Sequence, residues 1–303
     1  MLIVDAHIHL FSPEIQAHRD RYAAHDPFFG YLYSNPKARM VAVSELLADM
    51  DAAGVDKVVA VGWPWQRGDI CREQNDWLME VARRHADRMI ALGTVQPLDG
   101  LAAVAELRRC AEGGLAGVGE LNADGQGFRL DDAGFLSVAQ AATDMGVPML
   151  LHTNEPVGHV YPGKGQLSLA DVYAFLRAVS ELRLVLAHWG GGFPFYELMP
   201  EVRAAARNVF YDSAASPLLY TPEIFRTVID LVGADKVLFG SDYPLILYPK
   251  RQRTPSFSPM LDEINGVGLP AAALANVLGR NAMRVYLSSP TGSAGEPPEQ
   301  RMR

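Results

Sequence analysis

Two hydrophobic patterns alternate along the chain. Short, near-continuous apolar runs occur at Leu2–Leu10, Lys57–Gly62, Met89–Val95, Leu115–Leu121, Val147–His152, Arg183–His188, Val209–Asp212 and Lys236–Ser241. Between them lie longer segments in which apolar positions recur with helical spacing: Ser44–Gly54, Asn75–His85, Leu101–Cys110, Asp131–Met145, Ser168–Leu182, Tyr196–Arg207 and Pro222–Val232, then Phe257–Ile264 and Pro270–Leu287. Continuous apolar strands are buried on both faces, which a parallel sheet with helical crossovers requires. Eight such strands alternating with helices predict an α/β protein, a (β/α)8 TIM barrel, as a single domain over residues 1–287. A stretch from about 11 to 43, rich in aromatics, His, Pro and Gly, breaks the alternation; a loop this long in a compact domain is expected to cover a site. The polar tail 288–303 carries hardly an apolar residue and reads as disordered.

Length and composition agree with that picture. The 303 residues suit a barrel of about 250 residues plus insertions. A net charge of −8 without a Lys/Arg-rich block opposes an extended polyanion, so nucleic acid is not the expected partner. The two cysteines, Cys71 and Cys110, stand in no metal-binding or redox spacing, which fits a reducing compartment. Neither a signal sequence nor a membrane-spanning run is visible, and a soluble cytoplasmic protein, compatible with a homodimer, is expected.

The chemistry gathers at strand ends. In Asp5-Ala6-His7-Ile8-His9 the acid and both imidazoles share one strand face if the alternation holds, the histidines about 7 Å apart along it. Glu120 ends the fourth strand, His152 the fifth, His188 the sixth, Asp212 the seventh, and Asp242 follows the eighth. Each alone has an ordinary explanation as a hydrogen-bonded polar residue or, for Asp212 and Asp242, a loop cap. Together they change the picture: active sites of such barrels lie at the C-terminal ends of the strands, and four of the eight histidines fall there. Two imidazoles from one strand, a third from the opposite wall and Asp242 from the strand that closure places next door make a cage for a borderline metal, most simply zinc.

With these motifs assembled, the chain resembles the amidohydrolase superfamily, in the branch that includes aminocarboxymuconate-semialdehyde decarboxylase and several lactonases. The resemblance rests on Asp5-Ala6-His7-Ile8-His9, Leu150-Leu151-His152, Ala187-His188-Trp189-Gly190-Gly191-Gly192-Phe193-Pro194, Val237-Leu238-Phe239-Gly240-Ser241-Asp242-Tyr243-Pro244 and the closing Leu278-Gly279-Arg280-Asn281-Ala282-Met283-Arg284. It implies that His7, His9 and His152 ligate a metal, that Asp242 ligates it or accepts a proton, and that His188 is the catalytic group beside it. Glu120 is a departure: decarboxylases of this branch lack a Glu at the strand-four position, whereas hydrolytic relatives such as TatD-like deoxyribonucleases carry one. It therefore joins the ligand candidates, leaves open a second metal or an altered ligand set, and weakens a direct transfer of decarboxylase activity.

The expectation is a metal-dependent hydrolase of a small-molecule amide, lactone or ester. A zinc-bound water with its pKa near 7 would attack, Asp242 taking its proton and His188 steadying the oxyanion. The alternative is a non-oxidative, metal-dependent decarboxylase of a small unsaturated or aromatic acid. Trp63, Trp65 and Trp189, with Phe28, Phe29 and Tyr31, suggest a flat apolar wall suited to a ring. His159, in a glycine-rich loop after the fifth strand, is expected near substrate, and Arg67, Lys164, Lys250 and Arg251 are candidates to hold a carboxylate.

Overall fold

The computed structural model describes residues 1–161 and 163–287. The tail expected to be disordered, 288–303, lies outside the described residues. Eight parallel strands form the barrel: β1 Val4–His9, β2 Lys57–Val61, β3 Met89–Ala91, β4 Val118–Leu121, β5 Met149–Leu151, β6 Leu184–Leu186, β7 Val209–Asp212 and β8 Val237–Leu238. Regular ladders join β1 to β3 and β4 to β8, each strand beside the next in sequence. Two looser seams close the ring. At one, the Gly93 amide donates to Gly117 O (3.0 Å) and the Gly119 amide to Gly93 O (2.8 Å). At the other, Ala6 N donates to Phe239 O (2.7 Å), Asp242 N to His7 O (2.9 Å) and His9 N to Tyr243 O (2.7 Å). Gly240 permits this second approach, since a Cβ there would stand 3.0 Å from that of His7.

Val4, Ala6, Val59, Val61, Ile90, Leu92, Leu150, Val185 and Leu238 form one apolar cluster inside the barrel, closed by Ala282, Val285 and Tyr286 of the last helix. The helices seal the outside through two larger clusters. Parallel strands buried on both faces explain the continuous apolar runs. No helix among the described residues is long and apolar enough to cross a membrane.

The strands stop earlier than their apolar runs. β3 ends at Ala91 rather than Val95, β6 at Leu186 rather than His188, and β8 at Leu238 rather than Ser241. After β6 and β8, His188 (φ 55°) and Asp242 (φ 66°) adopt left-handed backbone that no ladder accommodates. After β6 the left-handed conformation continues through Trp189, Gly190, Gly191 and Gly192; a 3-10 stretch then runs to Leu198, and the extended backbone of Met199 leaves only Pro200–Ala205 of the helix expected over Tyr196–Arg207. Glycine is required within that turn, because a Cβ on Gly191 would lie 2.3 Å from Asn154 O. The helix expected from Ser44 is Val43–Ala53, with Ala42 at its N-cap and Gly54 closing it as anticipated.

The stretch 11–43 differs most from expectation. It contains three short helices, Pro13–Ala17, Arg19–His25 and Pro27–Tyr33. Ser12 Oγ accepts from Ile15 N (3.2 Å) and Asp26 Oδ1 from Phe29 N (2.8 Å), each with proline at the first helical position. These helices bring Phe11, Phe29 and Tyr33 against Trp63 and Trp65 in a separate aromatic cluster.

Candidate metal centre

The rim residues converge. His7 Nε2 and His9 Nε2 lie 3.3 Å apart, and His9 Nε2 is 3.3 Å from Asp242 Oδ1. Across the mouth, His152 Nδ1 is 2.9 Å from Glu120 Oε1 and 3.2 Å from His188 Nε2. Glu120 spans the two groups: its Oε2 stands 3.6 Å from His7 Nε2 and 3.5 Å from His9 Nε2, while its Oε1 faces His152 and His188. His7, His9 and Asp242 form one set of donors mutually within 4.8 Å, and Glu120, His152 and His188 another. The expectation places His152 with the β1 histidines and His188 beside the metal; in the fold His152 and His188 also stand next to each other, because β5 and β6 are neighbours.

Buried anchors hold the imidazoles. His7 Nδ1 donates to Asp212 Oδ2 (2.9 Å), His9 Nδ1 to Gly62 O (3.1 Å) and His188 Nδ1 to Ala214 O (3.0 Å). A carbonyl or carboxylate oxygen only accepts, so these bonds put the proton on Nδ1 and bare Nε2 in the neutral ring. His7 and His9 then direct two lone pairs at each other across 3.3 Å, an arrangement that requires a positive charge between or on them. Two nitrogens about 2.1 Å from one ion at close to the tetrahedral angle take about that separation, so the donors fit a divalent cation. His152 Nε2, buried without a hydrogen-bond partner among the described residues, also points to a ligand or cation in this site.

Asp212, expected only as a loop cap, is the anchor for His7 and also accepts the His188 and Ala214 amides at 3.0 Å. Such carboxylate–imidazole–metal relays set ligand orientation and basicity. Asp5 does not join the donors. A register irregularity between Asp5 and Ile8 breaks the strand alternation, and Asp5 Oδ1 instead accepts from His7 N (3.0 Å) and Ser241 N (3.1 Å). Burial pushes its carboxyl up to about 7.

The electrostatics are those of a cation site whose charge is carried by protons. Burial opposes charge on His9, but hydrogen bonding to Asp242 and Glu120 outweighs it and lifts the imidazole to about 9. Burial is likewise outweighed at His188, which its Glu120 contact and the Asp242 charge raise to about 9. At Asp242 burial works upward, yet His9 holds the carboxyl down at about 2. Burial also works upward at Glu120, where His7 and His152 keep the carboxyl well below its ordinary value.

A cavity of about 410 Å³ opens onto this cluster. His9, Glu120, His152, His188 and Asp242 line it, with Trp63, Phe28 and Leu32 forming an apolar wall. Phe28 stacks on Trp63, ring centroids 5.3 Å apart. His159 is among the residues lining the cavity. Other aromatic expectations are corrected. Trp65 is buried behind the wall, its Nε1 donating to Gln74 Oε1, because the helices of 13–33 cover it. Trp189 is turned away by the left-handed backbone, packs edge-on against Phe225 and donates from Nε1 to Ser216 Oγ (2.9 Å). Phe29 is buried in the aromatic cluster, and Tyr31 is 65% exposed.

None of Arg67, Lys164, Lys250 and Arg251 lines the cavity. Arg67 pairs with Asp69, and Lys164 Nζ donates to the Val157 and His159 carbonyls. Arg39, overlooked in the sequence, lines the cavity instead, pairing with Glu45 and keeping a buried Nε without a partner among the described residues. A basic residue in the stretch expected to cover the site was the available signal.

Comparison with known proteins fits this geometry. The amidohydrolase family model matches residues 4–287, and the chain belongs to that family of enzymes. It is similar to 2-amino-3-carboxymuconate-6-semialdehyde decarboxylase of Dictyostelium discoideum, at 24% identity over 253 residues, 73% of this chain and 70% of the relative. Its fold is similar to that of 5-carboxyvanillate decarboxylase from Sphingomonas paucimobilis, with a TM-score of 0.77, 20% identity, and 94% and 98% of the two chains covered. A dihydroxybenzoic acid decarboxylase from Polaromonas, solved with manganese and 2-nitroresorcinol, gives a TM-score of 0.70 at 15% identity, covering 94% and 96%. These relatives overturn the expectation of a hydrolase: they are decarboxylases.

Proposed function

We propose that the protein is a divalent-metal-dependent, non-oxidative decarboxylase of a small aromatic or unsaturated carboxylic acid. The observation that carries this reading is a cluster of imidazoles and carboxylates facing a ring-sized cavity with a stacked aromatic wall and one guanidinium. His7, His9 and Asp242 would hold the cation, with Asp212 orienting His7. When bound, the cation supplies a positive anchor for the acid's oxygens. Zinc, from the His-rich donor set, and manganese, which the Polaromonas enzyme binds, both suit these nitrogen and oxygen donors.

The chain's own groups account for the remaining needs. Trp63 and Phe28 hold the ring flat, and Arg39 turns an acidic substituent toward the polar end. His188, its Nδ1 committed to Ala214 O, presents Nε2–H to the cavity when protonated. It delivers that proton to the carbon bearing the carboxylate. The carbon–carbon bond then breaks, its electron pair returns to the unsaturated system, and carbon dioxide leaves. Each turnover consumes one proton.

Metal-loaded protein incubated with 2,6-dihydroxybenzoate, 5-carboxyvanillate and 2-amino-3-carboxymuconate semialdehyde should release carbon dioxide from at least one. In deuterium oxide the product should carry deuterium at the vacated carbon. Hydration or hydrolysis products without carbon dioxide would overturn the proposal.

A further inference from the structure

The chemistry above leaves two hydrogen-bond donors at the cavity unused. Asn122 caps the short helix Ala123–Gln126: its Oδ1 accepts from Gly125 N (2.8 Å), and its own backbone N–H donates to Gln126 Oε1 (3.1 Å). Only the carbonyl end of the side chain can accept an N–H, so Nδ2 is the free end, without a partner among the described residues. The residue is 3% exposed and lines the cavity, so this amide is shielded from bulk solvent and available to whatever fills the space.

The second donor is the Tyr33 hydroxyl. Its ring is packed by Phe29, Phe11 and Trp63, with centroids 4.9, 5.0 and 5.3 Å away, so the hydroxyl has a fixed place. The Tyr161 and Tyr243 hydroxyls donate to carboxylates at 2.8 and 2.7 Å. Tyr33, which also lines the cavity, has no such acceptor among the described residues. Burial, together with the Asp242 charge, holds this phenol well above its ordinary range, so it keeps its proton. A shielded donor without an acceptor is costly, and a cavity that keeps two has them for a ligand.

Their position says which part of a ligand they meet. Glu120 and Asn122 both line the cavity, while Leu121 between them packs into the outer core. Two residues of extended chain span about 7 Å, which sets the Asn122 amide beyond the donor cluster, level with the ring of a bound acid rather than with its carboxylate.

We propose that Asn122 Nδ2 and the Tyr33 hydroxyl donate to an oxygen substituent on the ring, meta to the scissile carboxylate, and thereby select oxygenated rings over bare ones. The inference takes only the ligand class, a ring bearing a carboxylate, from the decarboxylase reading. The test is isothermal titration of the metal-loaded full chain with 3-methoxybenzoate and with 3-ethylbenzoate, which has the same shape but no acceptor. Wild type should favour the methoxy acid about tenfold. In Tyr33→Phe, which keeps the packed ring, and in Asn122→Asp, which keeps the capping oxygen, that ratio should fall about fivefold, the worth of one hydrogen bond. Taking the ratio cancels any general weakening of acid binding by the new carboxylate. A wild-type preference below about threefold, or a fall below about threefold in either variant, overturns the proposal. If Asn122→Asp does not fold, Asn122→Gly, which also suits a cap and lacks the donor, is held to the same threshold.

Binding and reaction are read separately. A ratio that falls as expected, with no carbon dioxide from any acid tried, keeps the two donors and removes the decarboxylase. Carbon dioxide release with an unmoved ratio does the reverse. Failure of wild type to bind either benzoate overturns the donor assignment whatever the other acids release.

Discussion

The two halves of the centre are built differently. In the His7–His9–Asp242 half, the strands are neighbours across the closing seam, and both imidazoles are fixed by buried acceptors outside the donor set, Asp212 and Gly62 O. In the Glu120–His152–His188 half the members bond mainly to one another: His152 Nδ1 faces Glu120 at 2.9 Å, and only His188 has an outside anchor. A donor set fixed from outside loses little freedom when it takes a cation, whereas a set tied to itself can pass protons among its members. The difference supports the proposed division of these residues into a gripping side and a proton-handling side, set by what stands behind each ring.

The division can be broken first by His9→Ala, which removes a gripping donor. Stoichiometric metal by elemental analysis should be lost, and activity should fall by roughly 10⁴-fold or more, as when the group creating a catalytic centre is removed. His188→Asn should keep the cation within about threefold in affinity while kcat drops on the order of 10²- to 10⁴-fold, the usual worth of a positioned acid. Loss of both cation and activity in that variant would place His188 on the gripping side.

A pH series sharpens the contrast. The metal-free protein holds protons on His9 and His188 up to about 9, against 6.5 for an ordinary imidazole. Folding binds these protons more tightly than the unfolded chain does, so their stabilisation is complete below about 6.5 and is lost as the pH rises through about 9. Melting of chelated protein should therefore fall over that window. Added cation should release protons and bind more tightly as the pH rises. A flat melting profile that cation does not alter would contradict it. The smallest effect concerns the indole outside both halves: Trp189→Phe removes the bond to Ser216 Oγ, and should cost about 1 kcal/mol in denaturant unfolding while leaving KM unchanged.

Much of this was legible one element at a time. Continuous apolar runs marked the strands because a parallel barrel buries both faces, and the residues at their ends marked the rim. The short helices of 13–33 were legible too, in Ser12-Pro13 and Asp26-Pro27, but the absence of long periodicity masked them. Asp212 was visible as an acid at a strand end; its role was not, because its partner His7 lies 205 residues away.

From sequence alone follow the barrel, the closing adjacency of its first and last strands, and the gathering of imidazoles and carboxylates at one end, since each depends on local pattern and strand order. Only the tertiary structure decided which donors pair, which nitrogen each ring leaves bare, and that Trp63 faces the cavity while Trp65 and Trp189 do not. Those outcomes turn on backbone left-handedness at single residues and on hydrogen bonds between distant strands, and neither leaves a periodic trace in the chain.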